Sequence, residues 1–113
     1  MDCIFCEIIK KEIPASILYE DEKILIFNDL NPEAPIHFLV IPKKHIASTN
    51  EIDTCSSDVI SHIFVKIAEL SKNIKELKDG YRIVTNCGKN AGQTVKHLHF
   101  HVLGGRKLSW PPG

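Results

Sequence analysis

A histidine stands at every second position of the apolar run His97-Leu98-His99-Phe100-His101-Val102. Side chains of a strand alternate between faces, so an extended backbone here puts three imidazoles on one side and Leu98, Phe100 and Val102 on the other. The segment reads as a strand with one face in a core and the other committed to polar chemistry. Successive rings on that face lie about 6.5 to 7 Å apart along the strand, and protonating one disfavours protonating the next. At least one ring is then neutral near pH 7, and a neutral imidazole is a nucleophile or a base. A single histidine there would line a solvated sheet face; three in strict alternation, followed by Gly104-Gly105, outline a reaction site.

The chain has 113 residues, 43% of them hydrophobic, which predicts one domain over 1–113 with a core that needs no crosslinks. Fourteen basic residues balance fourteen acidic ones, so no global field recruits nucleic acid or a membrane. Met1-Asp2-Cys3-Ile4-Phe5-Cys6-Glu7 lacks a basic segment followed by an apolar stretch, and no run approaches a bilayer's span. The expectation is a soluble, cytoplasmic protein, with the nucleus also open to it. In a reducing compartment the cysteines, Cys3, Cys6, Cys55 and Cys87, are better read as metal ligands or plain thiols than as disulfides.

Ile4, Phe5, Ile8 and Ile9, with Lys10, Lys11 and Glu12, predict a short amphipathic helix stopped before Pro14. Strands follow at 16–20, 23–28 and 37–41, and their short connections favour antiparallel pairing. From Ser57 to Leu77, apolar residues recur every three and four positions as on a helix, with Ser56 or Ser57 to cap its start and Gly80 to end it. A strand at 81–86, a loop at 87–94 and the histidine strand complete an α+β chain with a mostly antiparallel sheet. His62, beside apolar positions on the long helix, reads as a packing residue.

Gly88 and Gly92, flanked by Asn90, Gln93 and Thr94, let backbone N–H groups approach an anion, and phosphate is the natural guest. Such a loop alone is more often a turn; placed directly before the histidines it favours the anion. Asn86, at the end of the preceding strand, can offer an amide to a second oxygen or satisfy its own turn. Cys3 and Cys6 have the C-x-x-C spacing that binds one metal from a single turn, half of a zinc site for which His45 and His97 are the unassigned completing ligands. The alternative is two small buried residues on the first helix. A thioredoxin-like redox pair fits poorly, since no βαβ context precedes it.

Gly92-Gln93-Thr94-Val95, His97-x-His99-x-His101, Val102-Leu103-Gly104-Gly105 and Trp110-Pro111-Pro112-Gly113 closely resemble the histidine triad superfamily, and specifically its Hint branch of nucleotide-binding proteins. Members of that branch are also called protein kinase C-interacting proteins. Ile4-Phe5, Lys11-Glu12-Ile13-Pro14, Asp29, Pro32, Ala34-Pro35 and the run His37 to Ile46 extend the resemblance over nearly the whole chain. The resemblance implies a five-stranded sheet with one long and one short helix, and a homodimer joining two sheets into a ten-stranded one. It further implies a purine nucleoside monophosphate pocket in each subunit, hydrolysis of nucleoside 5′-phosphoramidates and acyl-adenylates, and no organic cofactor.

Carried over by position, His99 is the nucleophile that forms a nucleotidyl-imidazole intermediate, and His101 contacts the phosphate oxygens. His97 and His37 support and orient His99. Asn86, Gly92, Gln93, Thr94 and Val95 resemble the phosphate contacts, the Thr94 hydroxyl stabilising developing charge. Asp29 resembles the carboxylate that holds the ribose hydroxyls, while Ile4, Phe5, Ile8, Ile13, Phe27 and Leu30 wall the base. Asn28 stands where close relatives often have histidine, and Thr94 where they often have serine. In the zinc-bearing members the first triad histidine doubles as a metal ligand, implying a structural zinc on Cys3, Cys6, His45 and His97. The tail with Trp110 would cross to the neighbouring subunit and sit near its site. Two other classes compete: a zinc hydrolase using His97 with His99 or His101 as ligands, and a nucleotide-binding regulator with little turnover.

Overall fold

This computed structural model describes residues 3–113. Cys3 begins the first helix: its carbonyl accepts the Glu7 N–H at 3.0 Å and its sulfur the Cys6 N–H at 3.4 Å, capping α1, Ile4–Ile9. The helix is shorter than the amphipathic stretch, because Lys11 turns left-handed (φ 64°) and sends Nζ to Glu20 at 2.7 Å. Strands β1 (Ile17–Glu20), β2 (Ile24–Asn28), β3 (Ile36–Pro42), β4 (Tyr81–Val84) and β5 (Phe100–Gly104) form one sheet ordered β1-β2-β3-β5-β4. Every neighbouring pair is antiparallel, as the short connections require.

The long helix, α2, runs Ser57–Lys72 and stops short of Leu77. Asn73 caps it, Ile74 is extended (φ −105°, ψ 110°), and a 3₁₀ turn at Lys75–Leu77 returns Leu77 to the core. The apolar period outlasts the helix because Ile74 and Leu77 still pack on the same cluster from outside it. Neither serine side chain caps the start; the Asp53 carboxylate accepts the Cys55 and Ser56 N–H groups at 2.9 and 3.1 Å instead.

Helices cover both faces of the sheet. Ile24, Ile26, Phe38, Val40, Phe100 and Val102 meet Ile63 and Ile67 of α2, while Leu25, Phe27, Leu39 and Ile41 meet Phe5 and Ile8 of α1. β2 and β3 are therefore apolar apart from Asn28 and His37, whereas β5 alternates buried with half-buried positions. Two strand ends differ from the sequence reading. β5 begins at Phe100, leaving His97 and His99 on an irregular lead-in, because Pro42 has no N–H for the ladder and its carbonyl takes the His97 ring at 2.8 Å. β4 ends at Val84, beyond which the Thr85 hydroxyl, rather than a backbone N–H, donates to the His99 carbonyl at 2.8 Å.

His62 is half-buried, and its ring also hydrogen-bonds Asp21. Its Nε2 lies 2.6 Å from Asp21 Oδ2, tying α2 to the β1–β2 turn. Partial burial works to raise the Asp21 carboxyl, but the hydrogen bond from His62, then those from Lys23, Tyr19 and Ile24, outweigh it and hold the group well below the usual carboxylate range. At the end of β5, a Cβ on Gly104 would overlap Leu77 Cδ2 and sit 3.3 Å from the Gly80 carbonyl. Gly104→Ala is expected to destabilise the fold by about 1–3 kcal/mol, read as an earlier urea midpoint with an unchanged slope. Among the described residues no helix is long and apolar enough to cross a membrane.

Candidate active site

A cavity of about 290 Å³ opens between α1, the end of β2 and the histidine segment. Its apolar end is built from Ile4, Phe5, Ile8, Ile13, Phe27, Leu30 and Leu39, and its polar end from Asn28, Asp29, Thr94, His99 and His101, with Val95 beside them. The alternation read from sequence persists through the irregular lead-in, since Leu98 is in the α2-side core while Phe5 packs edge-on against His97 and His99, at 5.9 and 5.1 Å between centroids. The His99 and His101 rings are 5.1 Å apart, closer than the strand repeat.

Backbone groups decide which ring nitrogens carry protons, because a carbonyl can only accept and an amide N–H can only donate. His97 Nε2 donates to the Pro42 carbonyl at 2.8 Å, leaving its Nδ1 with a lone pair. His99 Nδ1 donates to the His97 carbonyl at 2.6 Å, so Nε2 is the nitrogen free to attack. On β3, the Glu33 N–H donates to His37 Nδ1 at 3.0 Å, which puts the His37 proton on Nε2. That proton is shared with His101 Nδ1 at 2.9 Å, so the remaining His101 proton sits on Nε2. The site therefore holds a bare nitrogen on His99 next to a ring N–H on His101, a nucleophile beside a donor.

The sheet register explains why His37 serves His101 rather than His99, the partner expected from sequence. His101 opposes Leu39 and Leu103 opposes His37, which sets His37 and His101 diagonally on one face. Asp29 joins them, its Oδ2 3.4 Å from His37 Nε2 and 3.9 Å from His101 Nδ1, while its Oδ1 accepts the Asn31 N–H at 2.8 Å. Burial foremost, then the neighbouring His99 and His37, pull the His101 ring from the ordinary 6.5 down to about 4 against the opposing pull of Asp29. Below pH 6.5 the unfolded ring therefore takes up a proton that the folded ring refuses until about pH 4. The stability it contributes is whole above pH 6.5 and is lost as pH falls through this window, on the order of 3 kcal/mol. Urea titrations across that range should show the loss, and His101→Gln should flatten it.

Behind the histidine segment, four candidate ligands converge. Cys3 Sγ and Cys6 Sγ lie 3.4 and 3.6 Å from His97 Nδ1, Cys6 Sγ lies 3.4 Å from His45 Nδ1, and the two nitrogens are 3.1 Å apart. Tetrahedral zinc with ordinary bond lengths would set nitrogens roughly 3.3 Å apart and sulfur from nitrogen roughly 3.6 Å. The quartet has those dimensions, with all four atoms within 4.8 Å of one another. The His97 Nε2–H bond to Pro42 supplies the outer contact that orients a ligating imidazole. Burial, and then the neighbouring Cys3, push the Cys6 thiol above its ordinary range; a bound cation reverses that balance.

The cavity also takes in Pro14, Ala15 and Asn31, and Leu39 from β3, none of them read from sequence. Leu39 was findable, being two residues from His37 on the same strand face. Asn86, Gly92, Gln93 and Trp110 do not line the cavity. The Gln93 amide is committed inside the loop, Nε2 donating to the Ala47 and Val95 carbonyls at 2.8 and 3.0 Å and Oε1 accepting the Gly88 N–H at 3.0 Å. It fixes the backbone that presents Thr94 and Val95. Asn28 turns its amide to the Ser16 hydroxyl at 3.0 Å. Trp110 is 80% exposed, its tail held beside β4 by Arg82, which donates to the Ser109 carbonyl at 2.9 Å.

The HIT domain model matches residues 10–108. An uncharacterised HIT-like protein of Synechococcus elongatus is 47% identical over 99% of this chain and 97% of its own. Among solved structures, a HIT family hydrolase from Legionella pneumophila superposes with a TM-score of 0.96 at 44% identity, covering 99% of this chain and 100% of that one. A histidine triad protein from Clostridium difficile superposes with a TM-score of 0.91 at 50% identity, covering 96% and 95%. With the family model matched over residues 10–108 and relatives 44–50% identical over nearly the whole chain, the chain belongs to the HIT domain family.

Proposed function

We propose that this protein binds a purine nucleoside monophosphate and hydrolyses its 5′-phosphoramidates and acyl-adenylates. The observation that carries the reading is the pairing of an uncommitted His99 Nε2 with the His101 Nε2–H on the wall of a cavity that is apolar at its other end. The base packs among Phe5, Ile8 and Phe27, and the ribose hydroxyls reach Asp29. The phosphate meets Thr94 and Val95, with the His101 N–H on one of its oxygens. His99 Nε2 attacks the α-phosphorus as the bond to the leaving nitrogen, or to the leaving carboxylate oxygen of an acyl-adenylate, breaks. The amine departs with a proton taken from solvent, which the later attack of water returns, and the carboxylate departs as the anion. Water then attacks the nucleotidyl-histidine, releasing the monophosphate and restoring the ring.

Cys3, Cys6, His45 and His97 would hold zinc in a structural role, its chemistry limited to binding two thiolates and two imidazoles. His97 aims its free nitrogen at the cysteines and away from His99 and His101, which favours this assignment over a catalytic metal. The reading places the protein in the cytoplasm, where the thiols stay reduced. It includes a homodimer through β4, an edge strand of the sheet, beside which Phe64, Val65 and Tyr81 of α2 and β4 expose apolar surface and Trp110 stands ready to contact a partner. Incubation with adenosine 5′-phosphoramidate should release AMP and ammonia. AMP binding without turnover would instead support a nucleotide-binding regulator.

A further inference from the structure

Arg106 follows the glycine pair that ends β5, is exposed, and points back across the sheet end to the loop before β3. Its Nη2 and Nε donate to the Glu33 carbonyl at 2.8 and 3.3 Å, and Nη1 donates to the Lys107 carbonyl at 3.2 Å. Glu33 lies between Pro32 and Ala34-Pro35, whose proline rings restrict the backbone on either side. Gly105, at φ 90°, packs against Pro35 so closely that a Cβ there would come within 2.9 Å of the proline ring. The Gly105-Arg106 turn thus grips residues 33–35 by packing and by hydrogen bonds.

We propose that Arg106 is a positioning residue for the proton of His101. By fixing Glu33 it aims the Glu33 N–H at His37 Nδ1, and that bond decides the tautomers of both His37 and His101. Without the guanidinium only the flanking prolines and the Gly105 contact hold residue 33, so its N–H can tilt off His37 Nδ1, and His37 can then carry its proton there. Its Nε2 would then accept from His101 Nδ1, exposing a lone pair on His101 Nε2 to the phosphate where a donor is needed. The same amide bond is why the Asp29, His37 and His101 group suits a proton chain better than a cation, since His37 Nε2 carries the hydrogen a metal would have to replace.

The inference deepens the hydrolase reading and rests on it for its kinetic consequence, while its structural core is testable without turnover. Ring ¹⁵N spectra of histidine-labelled protein separate the two neutral tautomers. The wild type should show His37 and His101 with the proton on Nε2, and Arg106→Ala should show a mixture with the Nδ1 form. Arg106→Lys, which can still donate to the Glu33 carbonyl, should restore the wild-type pattern. Kinetically, Arg106→Ala should lower kcat for adenosine 5′-phosphoramidate about ten-fold, with KM changed less than about two-fold. Unchanged ring tautomers in Arg106→Ala overturn the proposal, even if that variant is slower. A wild type that shows no turnover defeats the hydrolase reading instead, and the spectra still decide the role of Arg106.

Discussion

Replacing His99 with asparagine or alanine is expected to lower hydrolysis of adenosine 5′-phosphoramidate by at least about 10⁴-fold and to leave AMP binding within a few-fold of wild type. The ring contributes a single uncommitted nitrogen, and no neighbour can substitute for it. His97 has its lone pair turned toward Cys3 and Cys6, and His101 presents an N–H to the cavity. The walls that would hold the base and the Asp29 carboxylate are separate from His99, so a nucleotide should still bind, as calorimetry with AMP would show. His101→Ala removes a donor rather than the nucleophile and should retain more activity, losing on the order of 10² to 10⁴ in rate. An active His99→Asn enzyme would bring the metal-dependent reading forward.

The second large effect concerns the metal. Protein purified without added zinc should carry close to one equivalent per chain, and the Cys3→Ser, Cys6→Ser double variant should carry none and lose at least about 3 kcal/mol of stability. The quartet clasps the start of α1 to the segment after β3 and to the histidine lead-in, and α1 itself supplies Phe5 and Ile8 to the cavity. Chelation should therefore lower the unfolding midpoint before it lowers the turnover of the protein still folded. Absence of metal from protein whose cysteines are reduced would contradict the assignment.

Much of this site was legible because its signals are local or follow a simple period. The histidine alternation separates the cavity side of the 97–101 segment from its core side, and C-x-x-C announces a half-site that His45 and His97 join in the structure. Other features depend on register and on backbone groups that carry no letter in a sequence. His37 reaches His101 through a diagonal across β3 and β5, set by pairing between residues 64 positions apart. The donors and acceptors that choose the tautomers are the Glu33 N–H, which every residue but proline would supply, and the Pro42 and His97 carbonyls, which any residue would. Asp21 and His62 are 41 positions apart and meet only because α2 lies over the β1–β2 turn. The apolar period from Ser57 to Leu77 outlasts α2 for a related reason, since Ile74 and Leu77 pack on the core from beyond the end of the helix.

In the proposed reaction the nucleotide is bonded covalently to His99 Nε2 between the two displacements. Mass spectrometry of protein quenched in base during turnover, where a phosphorus–nitrogen bond to imidazole survives, should find a nucleotidyl adduct on the peptide containing residues 97–101, assigned to His99 by fragmentation. An adduct on another residue, or turnover with no adduct on His99 at any quench time, would contradict that reaction.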